Sequence, residues 1–160
     1  MSTLAFVLLL ILSVVLQKTV APLFSIREIT PNLILILVVA VSLQRGRFWG
    51  VLAGFAAGLL YDLVGTEFVG LSSLANCLAA YVAGTFGRER LERRLVIVIG
   101  FLLTVLLLHD VVYFGILAFG TNSGLVRTIL GAAVPSALYT SLFIVIFHLV
   151  WPRMIWGRVH

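Results

Sequence analysis

Six acidic side chains occur in this chain of 160 residues, and two of them, Asp62 and Asp110, fall inside long apolar runs. His109 precedes Asp110, and Ser72, Ser73 and Asn76 stand near the start of another apolar run. An ionised carboxylate at the centre of a membrane helix costs about 2.5–3.5 kcal/mol on insertion scales, so such residues need a partner or a task. Counted from Phe48, Asp62 lies about 14 residues in, or roughly 21 Å along a helix. His109 and Asp110 lie at a similar depth counted from Leu95, and Asn76 reaches that level from the opposite direction. Tyr139 or Ser136 of the last run could join them. The buried polar cluster expected from these positions is Asp62, Asn76, His109 and Asp110. Three kinds of chemistry could use it: locking helices together, receiving a small ligand or lipid headgroup, or passing protons. The plainest reading is that Asp62 caps a neighbouring helix or bonds Asn76 and that His109 is a satisfied core imidazole. His109 and Asp110 are adjacent and so about 100° apart on a helix, which sets them to diverge. Asp110 and Tyr113, at i,i+3, share a face.

No catalytic residue is assigned. Zinc hydrolysis calls for clustered ligands such as His-Glu-x-x-His, whereas His109, His148 and His160 are scattered. There is no Gly-x-Ser-x-Gly elbow for a nucleophile and no Gly-rich loop ending in Lys for nucleotide phosphates. Gly120-Thr121-Asn122-Ser123-Gly124 reads as a turn. The single cysteine, Cys77, excludes an intrachain disulfide and a Cys-rich metal site. No metal, cofactor or nucleic acid is expected.

The elements that must position these residues follow from composition. Hydrophobic residues make up 62% of the chain and charged ones 11%, with a mean hydropathy of +1.20. A soluble domain carries about 25% charged residues, so a water-soluble globule is excluded. The apolar runs are continuous rather than alternating, which argues for helices and against a barrel. Six runs emerge, at approximately 4–21, 29–44, 48–64, 71–87, 95–119 and 125–150. They define an all-α, polytopic membrane protein: one integral domain folded as a six-transmembrane-helix bundle. The first run lacks a basic leader and a small-x-small cleavage site and reads as a retained span. The second is short, with about 12 apolar residues after Pro31-Asn32, so it must recruit Ile26 to Ile29 or sit where the bilayer thins. Pro135 removes a backbone donor and should kink the last span, freeing a carbonyl near Gly131.

Six crossings put both termini on one side. That side takes Arg45, Arg47, Arg88, Arg90, Arg93, Arg94, Arg153 and Arg158; the other takes Lys18, Arg27 and Arg127. Eight against three places both termini in the cytoplasm. Trp49, Trp151 and Trp156 fall near the same ends, where amphipathic rings prefer to sit. The segment Arg88-Glu89-Arg90-Leu91-Glu92-Arg93-Arg94 reads as a solvated cytoplasmic basic elbow, suited to an anionic leaflet.

The clearest spacing in the chain is Gly46, Gly50, Gly54 and Gly58, with Ala53 and Ala57 beside them and Asp62 continuing the step. Lipid gives no hydrophobic drive between helices, so small residues that let backbones approach mark a packing face, either within the bundle or for a partner helix. Gly84 and Gly87 are weaker versions of the same cue.

At these residues the sequence resembles the bacterial rod shape-determining protein MreD family. The likeness rests on Pro31-Asn32-Leu33, Arg45-Gly46, Gly50, Gly54-Phe55, Gly58-Leu59-Leu60-Tyr61-Asp62 and Gly70-Leu71, with Leu74, Tyr81 and Gly84 following. It covers most of the chain, although residues 95–160 match only in hydropathy and span count. The resemblance implies a non-enzymatic inner-membrane subunit of the rod (elongation) complex, which directs lateral peptidoglycan synthesis and cell shape. The implied partner is the bitopic protein MreC, through its transmembrane and juxtamembrane region. MreB, RodA and a transpeptidase belong to the same assembly, and membrane lipids surround it. MreD proteins also look like the six-helix substrate-binding subunits of energy-coupling-factor vitamin transporters, a fold analogy that transfers no function. Such a subunit is the alternative reading. It docks through small residues on its first span, whereas Leu4 to Ile11 here is bulky apart from Ala5.

Overall fold

The computed structural model describes residues 3–25, 29–65, 68–90, 95–120 and 124–150, with side chains for 7–25, 29–65, 68–86, 97–120 and 124–144. The helices are α1 (Thr3–Thr19), α2 (Leu33–Arg45), α3 (Arg47–Leu63), α4 (Leu71–Arg90), α5 (Leu95–Gly120), α6 (Leu125–Thr128) and α7 (Val134–Val150). A short 3₁₀ turn, Ala21–Phe24, follows α1, and a π-helical turn, Ile129–Ala133, joins α6 to α7 without a break. No β-strand occurs among the described residues. Two stretches, Ile97–Gly120 and Leu125–Ile144, are long and apolar enough to cross a membrane. Arg88 and Arg90 close α4, and their side chains, like Arg93 and Arg94, lie outside the described residues. So do Trp151 and Trp156.

The two apolar cores share α2 and α4. One joins Leu10 and Val14 of α1 and Ala53 and Ala57 of α3 to Val38 of α2 and Ala80 of α4. The other joins Val98, Leu102, Val105 and Leu106 of α5 and Ala137 and Ile144 of α7 to Leu35 and Val39 of α2 and Ala79 and Ala83 of α4. The two shared helices therefore form the centre, with α1 and α3 on one side and α5 and α7 on the other. Large apolar residues cover the outside: Leu8, Phe48, Phe55, Leu63, Val126 and Leu130 are all more than half exposed.

The buried face of α3 is built almost without side chains. Gly50, Ala53, Gly54, Ala57 and Gly58 are buried there, and Asp62 is the one larger member. A Cβ at Gly50 would fall on Ser42 of α2; one at Gly54 would come within 3.0 Å of the Asn76 backbone, and one at Gly58 within 2.5 Å of the Ser73 backbone. From the other helix, a Cβ at Gly84 would strike the Arg47 backbone. The helices α3 and α4 thus run antiparallel in backbone contact from Arg47 to Gly58. Ser73 Oγ donates to Phe55 O at 3.2 Å and Cys77 Sγ to Val51 O at 3.6 Å across this seam. Gly50, Gly54 and Gly58 are thus buried inside the bundle, against Ser42, Asn76 and Ser73. Gly46 is a correction. A Cβ there would meet nothing within 4 Å; the residue instead turns the chain from α2 into α3 at φ +85°, where a side chain would be strained.

The second helix begins at Leu33, directly after Pro31-Asn32, because Asn32 Oδ1 accepts from Leu35 N at 2.9 Å and caps it. At 13 residues it is about 20 Å long. Its N-terminus lies within the bundle, and neighbouring helices satisfy it. Gln17 of α1 accepts from Leu33 N at 2.6 Å and donates to Pro31 O at 3.0 Å, while Asn32 N donates to Thr140 Oγ1 of α7 at 3.2 Å. Pro31 itself is buried and has no N–H to satisfy.

Candidate functional site

The end of the bundle where α1 stops, α2 starts, α3 stops and α4 starts encloses a cavity of about 260 Å³. Every long helix contributes to it: Gln17, Tyr61, Ser72, Asn76, His109, Asp110 and Ser136, with Thr30 and Asn32 from the segment entering α2. Further along α5, Tyr113, Phe114 and Leu117 complete the wall. From Leu117 down to His109 is about 12 Å along the helix axis, so the cavity reaches well below the end of α5 at Gly120.

His109 and Asp110 are each 3% exposed, and both line this space. The expected divergence between them does not occur: His109 Nδ1 and Asp110 Oδ1 are 2.8 Å apart. Side chains on adjacent positions leave the backbone about 100° apart, but an imidazole and a carboxylate are long enough to swing back into one hydrogen bond. The imidazole also stacks on Tyr113, with ring centroids 6.1 Å apart and planes 6° from parallel. One turn of α5 thereby presents a carboxylate, an imidazole and a phenol together.

Asn76, 2% exposed, lies opposite on α4 with Ser72. Asn76 Oδ1 is buried and has no hydrogen-bond partner among the described residues. In a native bundle such atoms are uncommon and call for an explanation.

Asp62 is placed differently. It is buried at 2% but does not line the cavity. Its Oδ2 accepts from Gly70 N at 2.8 Å and Ser72 N at 3.1 Å, so the carboxylate caps α4, where the helix dipole favours a negative charge. This is the helix-capping role that its position suggested. Of the two α7 residues considered, Ser136 lines the cavity, whereas the Tyr139 hydroxyl donates to Phe24 O at 2.7 Å and ties the 3₁₀ turn to α7. The Lys18 ammonium lies 4.0 Å from the Tyr61 ring centroid, on one cavity wall.

Pro135 sits just after the π turn. Val134 N–H bonds Ile129 O, five residues back, so the distortion takes the form of one widened turn next to Ser136. Two residues of this region escaped the sequence reading, Gln17 and Thr140. A glutamine near the end of an apolar helix was the visible signal for the first; Thr140, a hydroxyl in an apolar run, gave almost none.

Among the described residues no group of three His, Cys, Asp or Glu side chains gathers as a metal site would require. The fold and this site define a helical membrane protein with a polar cavity at one end of the bundle. The family model for rod shape-determining protein MreD matches residues 1–155, and the chain belongs to that family. No curated protein and no solved structure matches it. Family membership carries a role in determining rod shape.

Proposed function

We propose that this chain is a non-enzymatic scaffold of the rod elongation complex. It spans the bacterial inner membrane six times with both termini in the cytoplasm, binds MreC, and helps direct lateral peptidoglycan synthesis. RodA, the transpeptidase and MreB associate with it through that assembly. The observation that carries this reading is the family match over nearly the whole chain.

Two structural features support it. Irregular backbone at membrane depth is tolerated only where protein buries it or a cavity adjoins it; Pro31 is buried, and Thr30 and Asn32 on either side of it line the cavity. The short α2 can therefore be completed as a crossing by a non-helical segment. Second, the bulk of the apolar side chains points outward while the small-residue face is closed, so partner helices would be met by broad aliphatic and aromatic surfaces on α1 and α3. The polar cavity favours a second reading, a substrate-binding subunit of an energy-coupling-factor vitamin transporter.

Pull-down of tagged protein from native membranes separates the two. Co-elution of a bitopic cell-wall protein is the expected result. An ATPase module with a bound vitamin would overturn the scaffold reading.

A further inference from the structure

The cavity presents an unusual balance of groups. Its lining offers acceptors: the Asp110 carboxylate, one oxygen of which faces His109, and Asn76 Oδ1, which has no partner among the described residues. Its walls offer the rings of Tyr61, Tyr113 and Phe114, whose faces attract cations. Among the described residues no Lys or Arg lines it. Among the described residues the ionisable groups around it are His109 and Asp110 on α5, Asp62 behind Ser72, Lys18 on the Tyr61 ring, and the phenols of Tyr61 and Tyr113. A volume of about 260 Å³ is far above the ~10–15 Å³ needed for one water.

We propose that this cavity binds a primary ammonium, supplied by an ethanolamine phospholipid headgroup or by a free small amine. The ammonium donates to Asp110 and Asn76 Oδ1 and lies among the aromatic walls. Donation to Asn76 Oδ1 gives that buried atom the partner it lacks among the described residues. This inference does not rest on the scaffold reading, since it concerns the bundle alone.

Native mass spectrometry of the full chain, after exchange into bilayer discs of mixed phosphatidylethanolamine and phosphatidylglycerol, reads the lipid arm. The expected result is about a tenfold preference for retaining phosphatidylethanolamine, the size of one charge-assisted hydrogen bond. Ethanolamine added to delipidated protein reads the other arm, through a rise in melting temperature. Asp110→Asn should abolish either response, but it also disturbs the His109 pair and could unfold the bundle. Asn76→Leu guards against that. It replaces the unmet acceptor with an apolar group of similar size, so it should raise the melting temperature of the delipidated protein while removing the preference. Retention of the phospholipid assigns the headgroup, and a response to ethanolamine alone assigns a free amine. No preference in either arm, or a preference that survives Asn76→Leu, overturns the proposal.

Discussion

Gly58 and Asp62 stand one turn apart on α3, and α4 makes both of them indispensable. The Cβ of an alanine at 58 would come within 2.5 Å of the Ser73 backbone, which cannot step aside as a flexible side chain would. Gly58→Ala should therefore destabilise the bundle by about 1–3 kcal/mol, the usual scale of overpacking. Gly115→Ala is the matched control, because nothing lies within 4 Å of its added methyl, and its melting temperature in detergent should hold or rise, alanine being favoured over glycine inside a helix by up to about 1 kcal/mol. At Asp62, alanine removes the acceptor for Gly70 N and Ser72 N. Loss of a cap costs about 0.5–2 kcal/mol. Asp62→Asn keeps one carbonyl oxygen in place and should recover most of the loss, measured by thermal unfolding of the three proteins side by side. If alanine and asparagine behave alike, the capping account fails.

At the scale of the helix, α2 shows what could be read from the chain and what could not. Its brevity was visible in the apolar run, and so was its start after Pro31-Asn32. Its depth inside the bundle was not, because that depends on how far the neighbouring helices overhang it. Gln17 comes to its first residues from α1 and Thr140 from α7, so the two meet there only once the bundle is assembled. Gln17→Leu should accordingly lower stability by roughly 1–3 kcal/mol, the cost of an orphaned buried group. An unchanged melting temperature would show that water replaces the glutamine. The glycine spacing on α3 was legible because a period of four is a property of the chain alone. The His109–Asp110 contact was not, since backbone direction and side-chain reach point opposite ways at adjacent positions. Pro135 announced a distortion, but packing chose a π turn with Val134 bonded to Ile129.

For the molecule as a whole, alternating helices carry the topology, and labelling with a membrane-impermeant thiol reagent checks it. In a Cys77→Ala background, cysteine at Ser25 should react in intact cells and cysteine at Gln44 only after permeabilisation. Reaction of both from one side would mean that α2 does not cross, and the six-span reading would fall. Replacing Cys77 itself removes only a weak contact, a thiol donating to Val51 O at 3.6 Å. The bare inward face of α3 has a mechanical consequence. Dispersion between touching atoms loses a quarter to a half of its strength over a gap of about 0.5–1 Å, so even a slight parting of α3 from α4 forfeits much of what holds them. A load on the outer flank of α3, at Phe48 or Phe55, is therefore passed across the seam to α4, the helix that carries Asn76 and Ser72 to the cavity.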